Sequence, residues 1–169
     1  MILIIMGVSG CGKSTVGAAV AQQLGWEFQD ADDYHSPQNI AKMSQGIALQ
    51  DSDREAWLLT LAAMIHDHEE KGKSLVLACS ALKQAYRDVL ITNPAVKLVY
   101  LEGSPDVIAK RLAGRDGHFM NPKLLESQFE ILEPPEKAMV LNVVLTLETQ
   151  VGAICAYATD KLKSHHSNH

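Results

Sequence analysis

The segment Gly7 to Ser14 has the residue types and the spacing of a phosphate-binding loop. It matches the pattern G-x-x-x-x-G-K-S and lies between an apolar run, Ile2 to Met6, and an amphipathic stretch. Its glycines let backbone N–H groups wrap a phosphate, and the positive end of a following helix stabilises the anion. We therefore predict that a nucleoside triphosphate binds here, with Lys13 on the β- and γ-phosphates and Ser14 on Mg²⁺.

Every residue of this loop is a candidate nucleotide ligand, together with the next threonine and an arginine further along the chain. These candidates are Gly7, Val8, Ser9, Gly10, Cys11, Gly12, Lys13, Ser14, Thr15 and Arg111. The alternative is a glycine-rich turn that binds no phosphate. A full match to the motif between a strand and a helix argues against that alternative.

Three carboxylates, Asp30, Asp32 and Asp33, follow the second apolar run. In an open parallel sheet, ligands bind where the strands end. Because successive residues of an extended segment point to opposite sides, we predict that Asp30 and Asp32 face one way and Asp33 the other. We assign Asp32 as the catalytic base for an acceptor hydroxyl and Asp30 as a Mg²⁺ ligand. A solvated acidic loop is the alternative, which the neighbouring phosphate loop disfavours.

A third group of polar residues indicates an anionic acceptor. Arg54 stands in the first turn of a predicted helix, where the helix dipole favours acids, so we expect an anionic partner such as a substrate carboxylate. A salt bridge with Asp51 or a neighbouring residue is the alternative. Ser80, predicted to cap the next helix, would share one helical face with Lys83 and Arg87. For Lys83 and Arg87 a solvated helix face is the alternative.

Residues 111–120 contain two glycines and two arginines, a composition typical of a mobile lid. We expect Arg115, together with Arg111, to close over the triphosphate, neutralise charge on the transferred group and exclude water. The lid is predicted to span residues 115–124, and Arg115 is assigned a catalytic role. A polar loop between helices is the alternative, and His118 fits packing as well as substrate binding.

Short apolar runs that alternate with amphipathic segments must position these side chains. The alternation is typical of an α/β fold with a parallel sheet. The predicted strands are Ile2 to Met6, Trp26 to Gln29, Leu75 to Ala78, Lys97 to Leu101 and Leu141 to Thr146.

The helix that follows the phosphate loop is predicted from Lys13 to Leu24, with Gly25 as its C-terminal stop. Other helix starts are indicated by a capping residue before a proline or by capping-box spacing. These starts are Ser36-Pro37, Ser104-Pro105, Asn121-Pro122 and Ser52 to Glu55.

The composition favours a small partner. With 169 residues, 47% of them hydrophobic, the chain suits one domain, which we place at residues 1–163. A net charge of -5 leaves no basic surplus for nucleic acid or for a membrane surface. The apolar N-terminal run is far shorter than the roughly 20 residues of a membrane span. Residues 164–169 are predicted to be a disordered tail whose histidines bind no metal.

The three cysteines, Cys11, Cys79 and Cys155, lack the spacing of a disulfide framework or a zinc site, so a reducing cytoplasm is expected. The third apolar run ends in Cys79-Ser80 and not in an aspartate. Motor ATPases and signalling GTPases usually carry their metal-binding aspartate there, so this absence favours a small kinase.

Several of these segments together resemble the gluconokinase family of P-loop small-molecule kinases, which is related in fold to shikimate and nucleoside monophosphate kinases. His-x-x-x-Asn-Ile-x-Lys-Met, Cys-Ser-Ala-Leu-Lys with Tyr-Arg-Asp, and Gly-His-Phe-Met with Ser-Gln-Phe-Glu are specific motifs. The matches cover most of residues 1–135: Met6 to Ser14, Asp30 to His35, Asn39 to Gly46, Asp51 to Leu58, Cys79 to Asp88 and Gly117 to Glu133.

The resemblance implies ATP and Mg²⁺ as cofactors and phosphorylation of gluconate to 6-phosphogluconate. It also implies a five-stranded sheet of order 2-3-1-4-5, and a homodimer. The substrate-binding residues it implies are Asp32, His35, Arg54, Ser80, Lys83, Arg87 and His118. Residue chemistry alone reaches only a kinase with an anionic acceptor.

This chain departs from the family pattern at Ser36, at Ile91 and over Met139 to Gln150, so the adenine contacts are left unassigned. Two alternatives stay open. A kinase of the shikimate type would share the phosphate loop, the paired aspartates and a carboxylate-binding arginine. A non-catalytic nucleotide-binding regulator would bind ATP but would leave Asp32 without a task.

Overall fold

The computed structural model describes residues 1–114 and 121–166. Five parallel strands form one sheet in the order β2-β3-β1-β4-β5, which confirms the predicted fold class and strand order. The strands are β1 Ile2–Met6, β2 Glu27–Asp30, β3 Leu75–Ala78, β4 Val96–Glu102 and β5 Met139–Asn142.

The described part of the chain contains seven α-helices and a short 3₁₀ turn, Ala31–Tyr34, directly after β2. The α-helices are α1 Lys13–Leu24, α2 Pro37–Ser44, α3 Asp51–Glu70, α4 Gln84–Leu90, α5 Pro105–Ala113, α6 Pro122–Ile131 and α7 Leu147–His166.

The sheet is the middle of three layers, and β1 is its central strand. All five side chains of β1 are fully buried, as expected for a parallel strand covered on both faces. Leu3 and Ile5 pack in a cluster with α1, α5, α6 and α7. Ile2, Ile4 and Met6 point the other way, into a cluster with α3 and α4. The ends of β1, β2 and β3 therefore open on one edge of the sheet, where the predicted site residues lie.

The bounds of β1, α1 and β3 agree with the prediction, while β2 and β4 differ by one residue at each end. Strand β5 was predicted two residues too late at its start and four too late at its end. After Asn142 the chain turns, because Val144 N–H donates to Asn142 Oδ1 at 3.0 Å and Leu145 N–H donates to Asn142 O at 3.1 Å. Val143 and Val144 therefore lie in a turn, although their apolar, β-branched side chains are typical of a strand.

Three predicted helix starts are confirmed by hydrogen bonds from backbone N–H groups to the side chains of Ser36, Ser104 and Asn121. The capping box predicted from Ser52 to Glu55 is wrong. Helix α3 begins at Asp51. Its capping box is formed by Gln50 and Asp53, and the Gln50 backbone N–H donates to the Asp53 carboxylate.

The end of the described chain differs from the predicted tail. Helix α7 continues to His166, so residues 164–166 are helical and only residues 167–169 lie outside the described residues. None of the helices in the described ranges combines the length and apolar character needed to cross a lipid bilayer.

Candidate active site

The phosphate loop connects β1 to α1, as its motif predicts. Gly7 has φ +151°, and a Cβ there would lie 2.6 Å from the Cys11 sulfur, so the loop closes tightly only around a glycine. Gly12 has φ +95° in the left-handed region and caps the N-terminus of α1. The loop therefore presents its backbone at the positive end of a helix of 12 residues, which is the arrangement that binds phosphate.

Lys13 is the first residue of α1, and its ammonium group folds back over the loop. Its Nζ donates to the Val8 carbonyl at 3.2 Å. A cavity of about 530 Å³ opens beside it. The cavity is lined by residues from the phosphate loop, the 3₁₀ turn, the end of α2, and α5 and α6: Ser9, Gly10, Gly12, Lys13, Ser14, Thr15, Asp32, Met43, Ser44, Gln45, Leu112, Asn121 and Leu124.

Ser14, which lines this cavity, lies beside Asp30. The Ser14 hydroxyl donates to Asp30 Oδ2 at 2.5 Å. Ser14 lies in α1, which follows β1, whereas Asp30 ends β2, and β3 lies between these two strands in the sheet. The other carboxylate oxygen, Oδ1, accepts the backbone N–H of Asp32 at 3.0 Å. Asp30 is therefore oriented through both oxygens, with one of them beside the serine predicted to share a metal ion with it.

Asp32 lines the same cavity as Lys13, but the predicted alternation of side chains around it is wrong. The segment after Asp30 was treated as extended, whereas Ala31–Tyr34 forms a 3₁₀ turn that Asp30 caps. A helical turn does not alternate its side chains between two faces. Asp32 is nevertheless exposed to the cavity, and Asp33 is not among the residues that line it.

His35 is held by a stack on Trp57, with ring centroids 4.3 Å apart and an interplanar angle of 14°. The Trp57 Nε1 in turn donates to the Ala31 carbonyl at 2.7 Å, which fastens the 3₁₀ turn to α3. Burial lowers the pKa of His35, so its imidazole is neutral at neutral pH. The charge of Asp32 raises the pKa of His35 and the charge of Arg54 lowers it, so both charges act on this ring.

Arg54 lies in the first turn of α3, as predicted, and donates from Nη1 to the Leu49 carbonyl at 2.7 Å and to the Tyr86 hydroxyl at 3.2 Å. Its guanidinium is 5.4 Å from the centre of the Tyr86 ring. Within the described ranges no carboxylate forms an ion pair with it, so the alternative of a salt bridge with Asp51 is not what the structure shows.

Lys83 is the residue that pairs with Asp51, with Nζ 2.9 Å from Oδ1. The Tyr86 hydroxyl also donates to this carboxylate. These two hydrogen bonds, first from Tyr86 and then from Lys83, lower the pKa of Asp51, and the carboxylate raises the pKa of Lys83. Arg54, Lys83 and Tyr86 thus form one cluster around Asp51.

Arg87 and Ser80 are corrected by the structure. Helix α4 begins at Gln84, so Ser80, Lys83 and Arg87 do not share a helical face. Arg87 is 2% exposed and donates to the carbonyls of Ala81, Leu82 and Glu133. It therefore supports the loop before α4, where Ala81 has φ +44°.

The other predicted site residues do not belong to the cluster around Asp51. The Ser80 carbonyl accepts the Gly7 N–H at 3.4 Å, which places Ser80 beneath the phosphate loop. Arg111 donates from Nη1 to the Val143 carbonyl at 2.9 Å and so joins α5 to the turn after β5. Arg115 and His118 lie outside the described residues.

Two site residues were missed by the reasoning from sequence. Tyr86 organises the cations, and Gln128 on α6 contacts Ser9 of the phosphate loop. Both belong to motifs that the chain shares with the gluconokinase family, Tyr-Arg-Asp and Ser-Gln-Phe-Glu. Neither residue was assigned a function from these motifs. Met43 to Gln45, at the end of α2, also line the cavity. Their residue types gave no indication of a functional role.

Comparison with known proteins supports the same chemistry. Residues 9–151 match the family model described as shikimate kinase. The chain is 50% identical to a probable gluconokinase of Mus musculus, with 96% of this chain and 97% of that protein covered. Among solved structures, an unliganded sugar kinase from a Janibacter species has a TM-score of 0.87 at 41% identity, with 94% of both chains covered.

A solved gluconokinase from Sinorhizobium meliloti has a TM-score of 0.82 at 38% identity, with 96% of this chain and 95% of that chain covered. These similarities extend over the phosphate loop, the acidic turn and the cation cluster alike, and not over a shared nucleotide-binding half alone. The chain therefore belongs to the gluconokinase family, within the shikimate kinase-like group of P-loop kinases.

Proposed function

We propose that this protein transfers the γ-phosphate of ATP to the terminal hydroxyl of D-gluconate, giving 6-phospho-D-gluconate and ADP. The observation that carries the proposal is a single cavity that brings the phosphate-loop residues Lys13 and Ser14 together with the carboxylate of Asp32. Membership of the gluconokinase family supports gluconate as the acceptor.

The donor half of the site is the phosphate loop. Its backbone N–H groups and the N-terminus of α1 would hold the β-phosphate, because both present positive ends of peptide dipoles. Lys13 would leave the Val8 carbonyl, to which its Nζ now donates, and bind the β- and γ-phosphates. In the transition state it would neutralise charge that develops on the transferred group.

Ser14 and Asp30 fit a Mg²⁺ ion. A hydroxyl and a carboxylate oxygen that converge at 2.5 Å are hard oxygen donors, and Mg²⁺ commonly takes only one or two such protein ligands beside phosphate and water. When bound, the ion would neutralise charge on the triphosphate. Ser14 and Asp30 would hold it, while the Asp32 N–H keeps the Asp30 carboxylate oriented through its second oxygen.

Asp32 would act as the base for the acceptor. Its carboxylate would accept the proton of the gluconate terminal hydroxyl as that oxygen bonds to the γ-phosphorus. At the same time the bond from phosphorus to the bridging oxygen breaks, and ADP leaves with that oxygen. Cys79 offers no covalent alternative, because burial raises the pKa of its thiol to about 12.

The acceptor would extend from Asp32 past His35 toward Arg54. His35 is neutral, and its Nδ1 lies 3.4 Å from Asn39 Nδ2, an amide donor, so Nε2–H would be left to donate to a sugar hydroxyl. The carboxylate of gluconate would pair with Arg54, the cation of this cluster that lacks an acidic partner within the described residues. Arg115 and His118 remain our proposals for charge neutralisation and substrate contact.

A coupled assay of ADP release tests the proposal with gluconate, shikimate and sorbitol as acceptors. Gluconate should support turnover, and shikimate and sorbitol should support little. Turnover with shikimate and none with gluconate would establish the shikimate-type alternative. Nucleotide binding without acceptor-dependent ADP release would instead indicate a non-catalytic regulator.

A further inference from the structure

Gln128, in the last part of α6, makes a two-point contact with Ser9 in the phosphate loop. The Ser9 backbone N–H donates to Gln128 Oε1 at 2.8 Å, and Gln128 Nε2 donates to the Ser9 hydroxyl at 3.1 Å. The two residues are 119 positions apart in the chain, and both hydrogen bonds are partly buried. The contact is therefore a tertiary clamp on a loop whose shape is set by its backbone.

The clamp acts on a group that belongs to the phosphate-binding surface. Backbone N–H groups of the loop are its means of binding phosphate, and the Ser9 N–H is engaged by Gln128. An amide side chain is suited to this position because it accepts an N–H without bringing negative charge toward a triphosphate. A carboxylate would accept the same N–H but would repel the phosphates.

Buried side chains and a close contact fix the start of helix α6. Leu124 and Leu125 are each 8% exposed and anchor its first turn in the structure. Asn121, which caps the helix, lies against Gly46 just after α2: a Cβ at Gly46 would be 2.2 Å from Asn121 Nδ2. Gln128 thus connects the phosphate loop to a helix whose first turn, with Asn121 before it, lines the same cavity as Asp32.

We propose that Gln128 is a positioning residue, which holds Ser9 and so presets the phosphate loop for transfer. This inference rests on the proposed kinase function. Positioning effects of this kind appear mainly in kcat, because a small misplacement of reacting groups is costly while binding is retained. Neither the family comparison nor the phosphate-loop motif assigns this role to Gln128.

The main test is Gln128→Met, which keeps the length of the side chain and removes both hydrogen bonds. We expect kcat with gluconate to fall about tenfold, while the KM for ATP changes much less. A tenfold fall corresponds to about 1.4 kcal/mol, close to the net value of one intramolecular hydrogen bond. Gln23→Met, at an exposed position of α1, is the matched control and should retain wild-type kcat.

A double-mutant cycle separates positioning from general damage. Ser9→Ala removes only the hydroxyl contact and should lower kcat less than Gln128→Met does. In the Gln128→Met background, Ser9→Ala should have no further effect, because its partner is already gone. Additive losses in kcat would show that the two residues act independently and would overturn the proposal.

Thermal unfolding distinguishes a purely structural role. A Gln128→Met protein with a lower Tm but wild-type kcat at 25 °C would overturn the positioning role and leave the proposed function intact. If the wild type showed no turnover with gluconate, the proposed function would fail. The clamp would then be tested by acceptor-independent ADP release, which should be about tenfold slower in Gln128→Met than in wild type. An unchanged rate would overturn the positioning role as well.

Discussion

Replacement of Arg54 by methionine is the sharpest test of how the acceptor is recognised. The charged guanidinium donates two hydrogen bonds to neutral oxygens, at 2.7 Å to Leu49 and at 3.2 Å to Tyr86. At about 1.5–3 kcal/mol for each hydrogen bond of a charged group, their loss costs about 3–6 kcal/mol of stability. In a protein of this size that lowers Tm by roughly 6–24 °C, whichever acceptor is assayed.

The loss of a substrate carboxylate contact differs from this loss of stability because it is selective for the acceptor. Truncation of one partner in a desolvated charge pair costs about 2–5 kcal/mol. At about 1.4 kcal/mol per tenfold, kcat/KM for gluconate should fall by roughly 30-fold to several thousand-fold. Sorbitol has the hydroxyls but no carboxylate, so its kcat/KM should change little and the preference for gluconate should narrow. ATP affinity should survive, because Arg54 lies outside the cavity of the phosphate loop.

Lys71→Met is the control for this experiment. Lys71 also lies at an end of α3, but it pairs with Asp67 on the surface, far along the helix from Arg54. Its removal should leave the ratio of gluconate to sorbitol unchanged. If Arg54→Met kept the wild-type ratio, the guanidinium would serve only Leu49 and Tyr86. Lys83 would then be the candidate for the carboxylate, since Arg87 is buried.

Three further predictions follow from the site. Lys13→Ala should nearly abolish kcat in the coupled assay while Tm is retained, and a wild-type kcat would disprove its role on the phosphates. Asp32→Asn should lower kcat by roughly 10²–10⁴-fold with ATP binding preserved, whereas Asp33→Asn should be mild; the reverse order would move the base to Asp33. Burial lowers the pKa of His35 below its ordinary 6.5. Its contribution to stability is therefore present above pH 6.5 and lost as the pH falls through the lower folded value. Wild type should accordingly lose Tm more steeply from pH 7 to 5 than His35→Phe, which keeps a ring on Trp57, and equal slopes would contradict this.

The parts of the fold that sequence predicts best are those encoded locally. Strand β1, the phosphate loop and α1 follow from one apolar run, one glycine motif and one amphipathic pattern, and all three have the predicted bounds. Strand β5 does not, because Val143 to Thr146 have β-branched and apolar residues and yet turn. The side chain of Asn142 decides that outcome, and its effect depends on a hydrogen bond that a residue pattern does not display.

The acceptor side was predicted only in part, because some of its contacts are encoded locally and others are not. Arg54 was found because its charge is at odds with its place in a helix, which is a local signal. The error at Arg87 came from extending α4 back to Ser80. A strained Ala81 begins an irregular loop there, and the buried guanidinium holds that loop in place. Pairing of Asp51 with Lys83 and Tyr86 joins residues more than 30 positions apart, and only the tertiary structure shows it.

The place of β2 at the edge of the sheet has a consequence for how this enzyme loses activity. Asp30 ends that strand and Asp32 follows it, yet β2 has only four residues and pairs with β3 alone. Edge segments with few partners open at a lower free energy than the centre of a sheet. Such an opening would withdraw the proposed metal ligand and the proposed base together while β1, β3 and β4 stay paired. Heat inactivation can therefore precede loss of the fold, and the temperature at which turnover stops would report on β2 rather than on the core.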